Sequence, residues 1–262
     1  MAVFAGQGDP KRTMTTLWRA PLSGAATGPG PKRGLSVDAI LTAAIEIADT
    51  AGIEQLSMRA VGERLGTSAM ALYTYVPSKR ELIDLMYDHA HAGVARTYQV
   101  VGGWRAAAVQ WADDLWSLYL DHPWLLQISF ARPVLGPNEQ AVLESLLTIL
   151  HPVELPPATT SGLVTSLFDL VRGAARTTAE ARTAAAVTGL SDVDWWAART
   201  AVMAEVAPDF AERFPMTVAL GAADVRPEPA ADQPYLEAAA ERNLATGLSL
   251  LLDGVEAGLA VS

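Results

Sequence analysis

SMRAVGERLGTSAMALYTYVPSKREL, residues 57–82, carries the start and stop signals of three helices in close succession. Ser57 opens the first, because its hydroxyl can accept from an orphan amide of the first turn. Val61 and Leu65 are four apart and share a face. Gly66 follows at the point where a helix must stop, since glycine tolerates the left-handed cap. Thr67 or Ser68 restarts a helix in which Leu72 and Val76 are again four apart. Pro77 ends it: it has no amide to donate, and it biases Val76 away from helix. Ser78, with Glu81 three residues on, is a capping box for the next helix. Two short apolar-faced helices around a tight turn are the pattern of a helix-turn-helix, and equally of three ordinary helices in an all-helical domain.

Upstream, Ser36 caps a helix with Asp38 in its first turn, where the dipole favours an anion. Ile40, Ala44, Ile47 and Ala48 line one side, Glu46 and Asp49 face out, and Ala51-Gly52 ends it. Residues 36–82 closely resemble the N-terminal DNA-binding domain of TetR-family transcriptional repressors. The resemblance rests on Ala44, Ile47, Ala48, Gly52, Leu56, Ser57, Arg59, Val61, Leu65, Gly66, Leu72, Tyr73, Val76, Lys79 and Leu82, with LYTYVPSKREL its most specific part. It implies an all-α fold, with a three-helix helix-turn-helix domain at 36–82 followed by a larger helical effector-binding and dimerisation domain at 83–262. It also implies a double-stranded DNA operator, a small-molecule effector and a homodimer as partners.

The residues themselves say how DNA would be met. Ser68, Ala69, Met70, Ala71, Tyr73, Thr74 and Tyr75 fall on the exposed side of the second helix or its turn. Tyr73 and Tyr75 suit phosphate contacts, and Lys79 at the head of the next helix can hold a phosphate together with free amides. Between Ser68 and Val76 there is no Arg, Asn or Gln, so the strongest bidentate base readers are missing. Ala69, Met70 and Ala71 can meet thymine methyls, and Thr74 can make one hydrogen bond. Arg59, at a family position that reaches guanine, is the expected polar reader. The competing reading pairs it with Glu63, four residues on.

The chain has 262 residues, half of them hydrophobic, enough for a sizeable core. The net charge of −10 is unevenly spread. Residues 1–35 carry five basic groups against one acidic, residues 36–82 four against six, and residues 83–262 ten against twenty-two. An acidic body leaves the N-terminal part to face phosphate. Residues 1–35, rich in glycine and proline, are expected to form a flexible basic arm, with Leu17 and Trp18 able to dock as a short ordered turn and Lys32 and Arg33 placed to touch the DNA backbone or minor groove.

Further on, helices are expected at about 80–99, 104–120, 124–130, 138–150, 159–186 and 191–206, then a long loop at 207–234 and a last helix to Leu259. Residues 159–186 and 235–259 are the expected dimer elements, the first for its small residues and the second for a leucine seam. Trp111, Tyr119 and Phe168 are the expected effector contacts, although aromatics on helical stripes are more often plain core.

No cysteine is present, which fits a reducing cytoplasm and removes disulfides and cysteine nucleophiles. No apolar run reaches the length of a membrane span. His89 and His91 lie on different helical faces, and His122 and His151 sit beside prolines, so no metal is expected, and no cofactor. No Ser–His–Asp set or nucleotide-binding glycine loop supports an enzyme. A helix-turn-helix that serves as a protein-interaction module is the other alternative.

Overall fold

The computed structural model describes residues 3–19, 35–129, 131–223 and 234–259. It is all-α apart from one two-residue parallel pairing. In chain order the elements are β1 (Val3–Phe4), α1 (Pro10–Leu17), α2 (Val37–Ala51), α3 (Met58–Arg64), α4 (Ala69–Tyr73), α5 (Lys79–His91), α6 (Trp104–Asp121), β2 (Ile128–Ser129), α7 (Pro137–Leu150), α8 (Pro157–Thr188), α9 (Asp192–Val206), α10 (Phe210–Arg213), α11 (Pro215–Ala223) and α12 (Tyr235–Leu259). Short 3-10 turns at Pro123–Gln127 and His151–Val153 link the neighbouring helices.

The head comprises α2, α3 and α4 packed on the start of α5. Its core is Ile40, Ala44, Leu56, Val61, Leu72, Val76, Leu82 and Met86, all buried. Each helix start is capped as its sequence foretells. Ser36, Ser57, Ser68 and Ser78 accept from Ala39, Ala60, Ala71 and Glu81 amides. The capping box at Ser78 is only half made, because the Glu81 carboxylate turns to Arg12 instead, at 2.8 Å. The turn between α3 and α4 depends on two glycines for different reasons. Gly66 has φ +66°, in the left-handed region that other residues reach only at a cost. Gly62 is a close-approach site: its carbonyl accepts Thr67 N–H at 2.9 Å, and a Cβ there would lie 2.9 Å from the Thr67 carbonyl oxygen.

The body is built on α8 and α12, which pack along much of their length, with α6 and α7 closing the other side. The leucine seam of α12 is used inside the chain. Leu244, Leu248, Leu252 and Val255 are buried against the core, whereas Leu236 and Leu259 stay exposed. The outer faces carry open glycines, Gly162 and Gly173 on α8 and Gly254 and Gly258 on α12, with nothing near a would-be Cβ. No residue of α9 is buried, although Trp196 packs edge-on against Tyr235 at 5.9 Å. No described helix is long and apolar enough to cross a membrane.

Three stretches differ from expectation. Residues 3–19 are not a flexible arm. Asp9 caps α1, Pro10 stands at its first position, and the segment docks on α5. Four contacts fasten it: β1 pairs with β2, Gly6 N–H donates to Asp84 at 2.9 Å, Arg12 meets Glu81, and the Trp18 indole N–H donates to the Leu135 carbonyl at 2.9 Å. The expected DNA contacts of Lys32 and Arg33 lie outside the described residues. The helix expected at 80–99 stops at His91. The amides of Val94 and Ala95 both turn back to the His91 carbonyl, and the chain then runs irregularly so that Val94 and Tyr98 can bury themselves. Finally, much of the expected loop at 207–234 is helical. Pro215, which reads as a breaker, starts α11, a position where its missing amide costs nothing.

Candidate nucleic-acid interface and effector cavity

The outward side of the helix-turn-helix is the one expected. Met70 is 76% exposed, Tyr73 and Tyr75 a little over 40%, and Thr74 is exposed while Ala69 and Ala71 are half-buried. The Ser68 hydroxyl caps α4 by accepting the Ala71 amide, and its own O–H can still donate outward. Lys79, half-buried, occupies the first turn of α5 beside the Ser78 cap. Arg59 stands on the same outer surface, but its Nε donates to Glu63 Oε1 at 2.7 Å. The carboxylate raises the Arg59 pKa through that hydrogen bond first and its charge second. Both side chains are largely exposed, and such a pair contributes little to stability. The guanidinium can therefore exchange Glu63 for another acceptor at small cost. Both readings of Arg59 offered by the sequence are compatible with this geometry: paired in the free protein, available on contact.

A second site opens where α5 meets α7 and α8. A cavity of about 450 Å³ is lined by Tyr87, His91, Tyr119, Leu135, Glu139, Gln140, Val142, Leu143, Val164 and Phe168, among others. Tyr119 and Phe168, expected from sequence, are both in its wall. Trp111 is not. It is fully buried behind Phe168, edge-on to that ring at 5.0 Å, and its indole N–H donates to the Val142 carbonyl at 3.2 Å. It supports the wall as core, as large aromatics on a helical stripe usually do.

Sequence reasoning missed Tyr87, His91 and Glu139. Glu139 stands in the first turn of α7, where nothing local marks it as cavity wall. For Tyr87 and His91 the reason is that α5 is buried nearly all round, from Glu81 to His91. An amphipathic reading, with one face turned to water, assigns those positions wrongly. Three of its carboxylates are enclosed. Asp88 accepts from the Asn138 and Glu139 amides, each at 2.9 Å, and from Asn138 Nδ2 at 3.0 Å, and so caps α7 from another helix. Asp84 receives Gly6, and Glu81 receives Arg12. Burial raises the pKa of Asp84 and of Asp88 above the ordinary value, against the lowering effect of the amides they accept.

His91 sits on the cavity wall, 3% exposed. Its Nδ1 lies 2.7 Å from the Tyr87 carbonyl. A carbonyl only accepts, so Nδ1 carries the proton. Burial pushes the ring down to about 4, opposed by that carbonyl and aided by the charges of His122 and Arg172. An unfolded histidine titrates near 6.5, so the unfolded chain binds the extra proton first, and stability is lost as pH falls from about 6.5 to about 4. The expected loss from this group at pH 5 is roughly 2 kcal/mol relative to pH 7. Urea unfolding of the native chain and of His91→Gln at both pH values measures it. The raised carboxylates pull the other way but are common to both proteins, so the difference between them isolates His91.

The head and body also meet away from α5. Asp49 Oδ1 accepts the Trp124 indole N–H at 2.8 Å, and His122 Nδ1 lies 2.8 Å from the same oxygen. Asp49 thus lies on the exposed side of α2, as the helical pattern has it, and still bonds to the body. Behind Trp124, Arg172 of α8 donates to the carbonyls of Leu125, Leu126 and Ile128. Among the described residues no group of three or more His, Asp or Glu side chains is placed to hold a metal ion.

A capped three-helix head with an exposed second helix, carried on a helical body with its own cavity, defines a helix-turn-helix regulator with a separate ligand-sized site. Known proteins agree. The family described as bacterial regulatory proteins, tetR family, matches residues 40–86, and the tetracyclin repressor-like C-terminal domain matches residues 99–259. The HTH-type transcriptional repressor DrrR1 of Streptomyces coeruleorubidus is 35% identical over 253 residues, covering 96% of this chain and 87% of that protein. Among solved structures, apo ActR of Streptomyces coelicolor superposes with a TM-score of 0.65 at 22% identity, over 88% of this chain and 99% of that one. ActR in complex with (S)-DNPA gives 0.64 at 24% identity, over 86% and 98%. The chain belongs to the TetR family of transcriptional regulators.

Proposed function

We propose that the chain is a dimeric repressor that binds a palindromic operator and is released by a small-molecule effector held in the cavity of about 450 Å³. One observation carries this reading: α5 serves both sites. Leu82 and Met86 at its start and middle belong to the head core, while Tyr87 and His91 at its end are cavity wall. An effector that prefers one setting of α5 must weaken DNA binding by the factor by which DNA weakens effector binding. The relationship to DrrR1, itself a repressor, supports the sign of the regulation.

In this reading Tyr73, Tyr75 and Lys79 anchor phosphates. Ala69, Met70 and Ala71 meet thymine methyls, Ser68 and Thr74 add polar contacts, and Arg59 reads a guanine. Two half-sites need two heads. The outer faces of α8 and α12, with their open glycines, are the proposed dimer surface, and the pairing of these helices within each chain makes the assembly a four-helix bundle. The test is a mobility shift with DNA from upstream of the protein's own gene. A complex of two protomers on one palindrome supports the proposal; no shift on that DNA defeats it. Within it, Arg59→Ala is expected to cost ~1–3 kcal/mol at a single base pair per half-site and to relax specificity there. Measured over an operator library, a uniform loss at all sequences would instead make Arg59 a phosphate contact.

A further inference from the structure

The chemistry of the cavity wall selects its ligand. Among the described residues no lysine or arginine lines the cavity, whereas the carboxylates of Glu139 and Asp169 do. The nearest cation, Arg172, directs its guanidinium to the carbonyls of Leu125, Leu126 and Ile128. His91 adds an acceptor. With Nδ1 protonated toward the Tyr87 carbonyl and the ring neutral, Nε2 has only a lone pair to offer. Tyr87 and Phe168 supply ring faces, whose quadrupoles attract positive charge, while the Tyr119 ring already has Arg172 over it at 5.8 Å. Residues 83–262 as a whole carry twenty-two acidic and ten basic side chains, a balance that favours cations.

From this we infer that the cavity takes an apolar, aromatic organic cation, its positive group directed at Glu139 and Asp169. The inference rests on the proposed role of this cavity as the effector site. Burial has already raised the pKa of Glu139, in spite of the amides of Leu135, Val134 and Gly136 that oppose the shift. A bound cation supplies the counter-charge that this partly enclosed carboxylate lacks. An anionic ligand would meet two carboxylates and no compensating cation in the wall.

Two dyes with one tricyclic core and opposite charge test the idea on the full-length protein: rhodamine 123, a cation, and fluorescein, an anion, followed by fluorescence anisotropy at neutral pH. Rhodamine 123 should bind at least about tenfold more tightly. Glu139→Gln keeps an oxygen for the Leu135 amide and removes the charge, so it should cut that preference several-fold. Asp169→Asn lies on an exposed stretch of α8 and provides the same test without touching the buried residues. Phe168→Ala should weaken both dyes. Equal affinities, or a preference for fluorescein that Phe168→Ala abolishes, would overturn the charge selection and leave the cavity as the binding site. Binding of neither dye, or binding that ignores Phe168, would overturn the inference and the cavity assignment together.

Discussion

Replacing Gly62 with valine abolishes operator binding while leaving the body folded: this is the expected result, with a loss of at least a hundredfold in a mobility shift. Gly62 is where α3 and the start of α4 come closest. A Cβ would stand 2.9 Å from the Thr67 carbonyl oxygen and 3.2 Å from the Ala69 amide. Both neighbours are backbone, so neither can rotate aside. The Thr67 amide is itself tied to the Gly62 carbonyl at 2.9 Å. Added bulk must therefore push α4 away from α3, and overpacking of this kind costs about 1–3 kcal/mol. The larger consequence is geometric, since α4 is the proposed DNA-reading element and a shift of about an ångström would misplace every contact proposed for it. Gly62→Ala should show an intermediate loss. Gly66→Ala is the control. Its site is open, so it pays only the left-handed backbone cost of about 1 kcal/mol and should retain most of the affinity. Circular dichroism and dye binding to the cavity check that the body is intact in each variant.

Asp88→Ala should be the most destabilising single change in the body, by about 2–4 kcal/mol in urea unfolding at fixed protein concentration. Three donors end on this carboxylate, two of them first-turn amides of α7. Alanine leaves those amides buried without an acceptor. Asp88→Asn keeps an acceptor oxygen and should cost less than half as much. The pH dependence separates charge from hydrogen bonding. Burial raises the Asp88 pKa in the folded chain, so its contribution is fullest below the unfolded carboxylate value and is lost as pH rises through the folded one. Asp88→Asn removes this titration, and its penalty should shrink as pH rises. Glu139 sits in the same first turn of α7 and lines the cavity, so Asp88→Ala should also blunt the response to effector more than it weakens the operator complex. An unchanged unfolding midpoint would show that α7 is capped by other means.

The head was legible from residues 36–82 because its signals are local: serine caps, a glycine stop, a proline stop and apolar pairs four apart. Tyr73, Tyr75 and Met70 could be placed outside for the same reason. Legibility failed where the third dimension supplies the partner. Glu81 looked like half of a capping box, yet its carboxylate is taken by Arg12 from sixty-nine residues away. Asp49 reads as an outward-facing acid on an amphipathic helix and is exposed, yet it also accepts from the body, which no local signal announces. The prolines at 10 and 215 read as breakers because a proline that ends a helix and one that begins it look alike until the following residues find something to pack against. The leucines of α12 show the converse. Their spacing correctly announced a helical seam, but it could not say whether the partner was a second chain or α8.

Asp49 has a mechanical meaning beyond its hydrogen bonds. The head is joined to the body along α5, which residues 3–19 brace, and again at Asp49, where Trp124 and His122 converge on one oxygen. A line through the α5 and Asp49 joints is an axle, and a head turning about it would swing. Beside this joint lies a gap of about 430 Å³, with Glu54 of the head on one side and Arg176 and Glu180 of α8 on the other. That clearance gives the swing somewhere to go. The separation of two recognition helices in a dimer would then be set by a single angle, and anything that narrows the gap or locks the axle would fix it.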